Sequence, residues 1–158
     1  MNRSELHCYI EDNIVVSSRQ IIQYFVSQGK TNTSVRKSIS RLKDPFRSVS
    51  KIHLANKAKI FYHKAFWKTP DYCEKLTKIL LEEHSVYGYA LEALRAKSGF
   101  IVEKDFPIIC GSGNQKGHIP PELIKQNLLD SGLLSSINIE AMGTYLYLSA
   151  YNNISVQA

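Results

Sequence analysis

Eleven of the 39 residues from Lys30 to Lys68 are lysine or arginine, and Asp44 is the single acid among them. The chemistry such a run offers is the binding of a polyanion, because clustered like charges sum to a local field that concentrates the opposite charge. The basic residues alternate with apolar ones at structural periods, which marks a folded positive face rather than a disordered polybasic tail. Residues 1–70 carry 13 basic and 4 acidic groups, a net +9, whereas residues 71–158 carry 7 and 10, a net −3, giving +6 for the chain.

Other residues with chemical potential are poorly placed to use it. Glu82-Glu83-His84 offers carboxylates beside an imidazole, but adjacent residues on a helix point apart and no second ligand pair at a fixed spacing accompanies them, so they read as surface charge. Gly111-Ser112-Gly113-Asn114-Gln115-Lys116-Gly117 has the glycine content of a phosphate loop without its G-x-x-x-x-G-K-[ST] spacing, and reads as a connector. Cys8, Cys73 and Cys110 are odd in number and, even with His118, too irregularly spaced for a disulfide framework or a zinc site. Buried, reduced thiols are expected. Trp67 with Phe61, Tyr62 and Phe66 offers ring faces for unpaired bases, against which stands the ordinary role of aromatic clusters in closing a core. No nucleophile–base motif is present, so no catalytic residue, metal ligand or cofactor is assigned.

A chain of 158 residues with 44% hydrophobic and 22% charged residues can bury a core without staples, which argues against disorder and against a disulfide scaffold. No stretch approaches the roughly 18 consecutive apolar residues of a membrane helix, and Met1 to Glu5 leads into no hydrophobic signal region. A cytoplasmic protein is expected, nucleoid-associated if bacterial.

The elements that must position the basic face follow from local signals. Residues 3–11 form a first helix, with Leu6, Tyr9 and Ile10 at helical spacing, and Asn13 to Val16 is a short extended run. Ser17 with Gln20 three residues on is a capping box, opening a helix whose Ile21, Ile22, Phe25 and Val26 share a face and which Gly29 ends. Thr31 or Asn32 caps a third helix over residues 33–43, stopped before Pro45. At about 100° per residue, Val35, Ile39 and Leu42 gather into one narrow stripe; Ser34, Arg36, Lys37, Ser40, Arg41 and Lys43 take the rest of the circumference. Ser48 to Leu54 and Lys59 to Lys64 form a hairpin about Asn56, with Lys51, Lys57 and Lys59 near its tip. Thr69-Pro70-Asp71 starts a helix to Glu83, burying Tyr72, Leu76, Ile79 and Leu80, and marks a unit boundary. Helices over 86–97 and from Pro120-Pro121 to Ser131 follow. Phe100 to Glu103 is extended, Asp105 to Cys110 is ambiguous, and Ile137 to Glu140 with Tyr145 to Ser149 makes a second hairpin.

The order short strand, capped helix, glycine-containing turn, basic helix and two-stranded ribbon resembles the winged helix-turn-helix family. The likeness rests on Ile14-Val15-Val16-Ser17-Ser18-Arg19-Gln20-Ile21-Ile22, on Thr33-Ser34-Val35-Arg36-Lys37-Ser38-Ile39-Ser40-Arg41-Leu42, and on the ribbon ending Ile60-Phe61-Tyr62-His63, within residues 3–68. Residues 86–149 resemble a second such unit, although the helix after Pro120 carries Glu122 and Asp130 with Lys125 as its one basic residue.

The resemblance implies an α+β fold, mainly helical with small β-hairpins, as tandem winged helix-turn-helix units: a basic nucleic-acid-binding unit over residues 1–69, and a unit over 70–158 for dimerisation or partner contact. It implies a double-stranded DNA partner, with the third helix in the major groove and the hairpin on the backbone or in the minor groove. Thr31, Asn32, Thr33, Ser34, Arg36, Lys37, Ser40, Arg41 and Lys43 are then the helix contacts, and Lys51, Lys57 and Lys59 the wing contacts. Arg36 or Arg41 is suited to bidentate reading of guanine, while lysines and hydroxyls hold phosphates. A transcriptional regulator, or the DNA-targeting portion of a larger DNA-acting protein, is expected. RNA as the ligand, a protein-interaction module of a multi-subunit complex, and a non-catalytic region of a nucleic-acid enzyme remain alternatives.

Overall fold

Ser17 sets the geometry of the first half of the chain. Its hydroxyl accepts from the Gln20 backbone N–H at 3.1 Å while its own N–H donates to the Gln20 side-chain oxygen at 3.0 Å, so a strand ends and a helix begins at one residue. The computed structural model describes residues 3–42, 49–55, 58–110 and 119–149, and residue contacts divide the chain into two units, Met1–Trp67 and Lys68–Ala158. The division falls at Lys68, which adopts φ 68° immediately before the helix cap at Thr69.

The first unit runs α1 (Arg3–Asn13), β1 (Val15–Ser17), α2 (Ser18–Ser27), α3 (Asn32–Ser40), β2 (Val49–His53) and β3 (Lys59–His63). Its sheet is antiparallel in the order β1-β3-β2, with Val16 opposite Phe61 and Lys51 also opposite Phe61. Leu6, Ile10, Val16, Ile21, Phe25, Val35, Ile39, Leu42, Val49 and Phe61 form one core, so every element contributes at least one apolar side chain. Ile14 stands between α1 and β1 at φ 72°, an uncommon conformation for a β-branched residue. It is held there from both sides, its N–H donating to Glu11 O at 3.3 Å and its carbonyl accepting from His63 N at 2.7 Å.

The second unit begins with α4 (Pro70–Glu83) and α5 (Ser85–Ala96), joined at His84. Then come β4 (Phe100–Val102), a 3₁₀ turn (Glu103–Asp105), α6 (Phe106–Cys110), α7 (Pro121–Ser131), β5 (Leu134–Ile139) and β6 (Gly143–Leu148). The sheet order is β4-β6-β5. From α5 onward this repeats the first unit: helix, strand, two helices and a hairpin, with the lone strand paired to the last one. The fold is thus α+β, helix-rich with small antiparallel sheets.

Most elements form where local signals place them, and the differences have physical causes. The helix opened at Ser17 buries Ile21 and Phe25, whereas Ile22 is half-buried and Val26 is 43% exposed, because a ten-residue helix against a small core hides a narrower stripe. The ambiguous segment before Cys110 is helical from Phe106, with Phe106, Ile109 and Cys110 inward. The second hairpin begins at Leu134, three residues before Ile137, since Leu134 buries its side chain opposite Leu148. Cys8 is exposed on α1, against the expectation of burial; Cys73 and Cys110 are buried. In α7, Leu123 is 40% exposed and Asn127 is buried in the interior, where its amide donates to the Tyr87 hydroxyl at 2.7 Å.

Buried polar bonds and one close backbone approach hold the second unit together. Tyr72 donates its hydroxyl to the Ser131 carbonyl, tying α4 to the end of α7. Gly88 on α5 faces α4 so closely that an added Cβ would lie 2.8 Å from Leu81 Cα and 3.1 Å from Leu81 N. Gly88→Ala is therefore expected to force the helices apart and to destabilise this unit by about 1–3 kcal/mol, the usual range for overpacking. A lowered denaturant midpoint checks this, and an unchanged midpoint would show that the pair relaxes freely.

Candidate nucleic-acid interface

Helix α3 is anchored at both ends and along one stripe. Thr31 is its cap, its hydroxyl accepting from Ser34 N–H at 3.1 Å, so this side chain is engaged in starting the helix. Val35 is fully buried, and Ile39 and Leu42 nearly so. Around the remaining circumference Asn32, Thr33, Arg36, Lys37, Ser40 and Arg41 are exposed and Ser34 is half-buried. The helix ends at Ser40 with Arg41 as C-cap, earlier than residue 43. Lys43 and Lys57, both expected contacts, lie outside the described residues, as does the turn residue Asn56.

The polar groups are arranged rather than merely exposed. Arg36 donates its Nε–H to Asn32 Oδ1 at 2.6 Å, one turn towards the N-terminus. Ser40 donates to Lys37 O at 2.8 Å and Ser38 to Ser34 O at 3.2 Å, leaving the hydroxyl oxygens free to accept. No residue from 30 to 43 is acidic, and among the described residues Arg36, Lys37 and Arg41 enter no ion pair.

The hairpin joins this face through Lys51. Its ammonium donates to Leu42 O at 3.3 Å, satisfying a carbonyl at the negative end of the helix dipole and tying β2 to α3. That bond makes Lys51 a structural link as well as a charge, a contact across tertiary structure that no local pattern announces. Opposite residues of antiparallel strands share a face, so Lys51 and His53 on β2 lie with Lys59 and Phe61 on β3, the side that Phe61 buries in the core. Burial falls along β2 from Val49 through half-buried Lys51 to exposed His53, so basic groups crowd towards the hairpin tip. Exposed His53 and Arg19, the latter in the first turn of α2, are two cationic or titratable groups of this unit that sequence reasoning passed over. Arg19 was hidden by its place inside the capping signal, His53 by the alternation that marks a strand.

The corresponding helix of the second unit is built differently. On α7, Lys125 Nζ lies 2.8 Å from Glu122 Oε1 and 3.3 Å from Glu103 Oε2, with its side chain 13% exposed. The Glu122 hydrogen bond raises its pKa against the opposing effect of burial, with Glu103 assisting. The one basic residue of α7 is thus neutralised by carboxylates from its own turn and from the segment after β4.

The remaining chemical candidates do not converge. His84 is half-buried at the α4–α5 junction, and desolvation lowers its pKa while Glu83 opposes the shift. Among the described residues no group of three or more His, Cys, Asp or Glu is placed to hold a metal ion, and no helix is long and apolar enough to cross a membrane. A cleft of about 180 Å³ beside Lys125 is lined by Glu103, Phe106, Pro107 and Pro121, small against the roughly 300–1,000 Å³ of ligand pockets. Residues 111–118, with the glycine-rich loop and His118, lie outside the described residues. Of the aromatic cluster, Phe61 is core, whereas Phe66 and Trp67 are 36% and 40% exposed.

Comparison of the chain with protein-family models, with curated proteins and with solved structures gives no match.

The thiols provide a check on burial. Desolvation pushes the Cys110 pKa up to about 11, so only about one in a thousand of these groups is ionised at pH 8. In native protein at that pH a thiol reagent is expected to modify Cys8 promptly and to reach Cys73 and Cys110 only after denaturation. Prompt modification of more than one thiol in folded protein would contradict the burial of the other two.

Proposed function

We propose that the chain is a tandem winged helix-turn-helix protein whose first unit binds double-stranded DNA, with α3 in the major groove and the β2–β3 hairpin as the wing. It acts as a transcriptional regulator or as the DNA-targeting portion of a larger DNA-acting protein. The observation that carries this reading is the face of α3: Thr33, Arg36, Lys37, Ser40 and Arg41 exposed around a buried apolar stripe, with no carboxylate among the described residues paired to any of them. A surface evolved only for solubility interleaves both signs of charge. The order of elements and the sheet order β1-β3-β2 support the same reading, because a helix followed by a hairpin hydrogen-bonded to its end presents two adjacent basic projections, the arrangement a groove and its flanking backbone require.

The second unit has a different role. Lys125 is clasped by Glu103 and Glu122, whereas Phe100, Ile137 and Met142 are exposed. This favours protein contact, in dimerisation or partner binding, over a second DNA contact.

Titration of a labelled random-sequence duplex at several salt concentrations tests the proposal. Phosphate neutralisation by about three to six side chains gives a log–log slope of about 0.9 for each. Arg36→Ala with Lys37→Ala is expected to weaken binding and to reduce the slope by at least the one contact of Lys37, with little change in thermal midpoint because both side chains are exposed. Lys125→Ala is expected to leave binding unchanged. Absence of binding even at low salt, or stronger binding to single-stranded than to duplex nucleic acid, would remove the duplex-DNA reading.

A further inference from the structure

The two arginines of α3 are not equivalent. Resting on the DNA-binding reading above, we infer that Arg36 reads a guanine in the major groove, that Asn32 is its positioning residue, and that Arg41 holds a phosphate.

Three features of Arg36 carry this. First, side chains on a helix lean towards its N-terminus, and the 2.6 Å bond to Asn32 Oδ1 places the Arg36 guanidinium over the first turn. That is the end of a recognition helix that meets base edges. Second, the bond uses Nε and leaves both terminal nitrogens with their N–H groups, the parallel pair that matches guanine O6 and N7. Third, no carboxylate among the described residues competes for them. Asn32 accepts with its oxygen and thereby fixes the plane of the fork before any base arrives. At i and i+4 the two residues lie in one row along the helix, where such pairs meet.

Arg41 differs in the first two respects. It is the C-cap, at the far end of the helix from Asn32, and its backbone N–H is bonded to Lys37 O at 3.1 Å. At about 100° per residue it falls about 140° around the helix from Arg36, beside the end where Lys51 reaches Leu42 O. A cation there stands close in sequence to the carbonyl that Lys51 meets, and no side chain among the described residues orients its fork.

Selection from a random duplex library, followed by titration of the selected duplex and of versions with single base-pair changes, tests the inference. The wild-type chain is expected to select a guanine at one position and to bind the duplex lacking it about 5-fold to 150-fold more weakly, the range for one bidentate contact. Arg36→Lys keeps the charge, so its salt slope is expected to match wild type while most discrimination at that position is lost. Asn32→Ala is expected to lower discrimination at the same position and nowhere else. Arg41→Lys is expected to leave the selected sequence unchanged. Discrimination that survives Arg36→Lys, or that is lost instead with Arg41→Lys, overturns the assignment while leaving DNA binding intact. Duplex binding with no base preference overturns it too, and no duplex binding at all removes the underlying reading along with it.

Discussion

Burial of a single narrow stripe on α3 is the constraint on which the first unit turns. Val35, Ile39 and Leu42 reach the core that Leu6, Ile21, Phe25 and Phe61 build from three other elements. A nine-residue helix in water is marginal by itself, and α3 has serine, threonine and asparagine at positions where better helix formers would serve. Its helical state therefore derives from docking, from the Thr31 cap and from the Lys51 bond at Leu42. Because Val35 and Ile39, with Leu42 just past the helix end, suffice to hold it, most of its circumference is left outside the core. A broader apolar face would have tightened the helix against its neighbours and removed the room in which Arg36, Lys37 and Arg41 stand.

The second unit shows what the same order of elements becomes when that room is used otherwise. Its sheet has the same strand order, and α7 follows a short helix as α3 follows α2. Yet the charge on α7 is spent within the protein. Lys125 lies between Glu122, three residues before it, and Glu103 from the segment after β4. Two carboxylates already balance this ammonium, and a phosphate would have to displace them. The interior is also more polar, with Tyr72 and Tyr87 bonded to Ser131 and Asn127 across the packing of α4, α5 and α7. Such bonds specify one arrangement of helices, since each group left unmade would carry its full desolvation cost. Shared topology thus sets where a helix lies, and side-chain chemistry decides what it does.

Features governed by neighbours in sequence were legible before any coordinates. The Ser17–Gln20 capping box, the Thr69-Pro70 start of α4, the Val35–Ile39–Leu42 stripe and the division near residue 69 each rest on residues within a turn or two of one another. Features governed by distant partners were not. Lys51 alternates correctly for a strand, and nothing in β2 announces that its ammonium meets Leu42 O. Leu134 looks like part of the stretch after Gly132 until Leu148 supplies its opposite number. Asn127 occupies a core position because Tyr87, 40 residues earlier, offers a hydroxyl. Cys8 breaks the usual burial of thiols because the core-facing stripe of α1 passes through Leu6 and Ile10 instead. Of the candidate interface, the exposure of the polar and basic residues around the α3 stripe was readable, but the Asn32–Arg36 bond was one of several rotamer choices open to an exposed pair.

That bond separates two tasks which a count of basic residues merges. In the proposed complex Lys37, on a flexible stem, contributes charge at long range and loses rotamer entropy when it settles on a phosphate, so its expected effect is to speed encounter and to add salt-dependent affinity without choosing a sequence. Arg36 is already restrained by Asn32, so less freedom is lost when its fork meets a partner, and a planar pair of donors is demanding about what it meets. Restraint of this kind adds little to the stability of an exposed helix, for which an i,i+4 pair is worth only about 0.2–0.5 kcal/mol. Its consequence appears in discrimination between partners, because a fork held in one plane loses both hydrogen bonds together when the acceptors are wrong, whereas a free ammonium finds another.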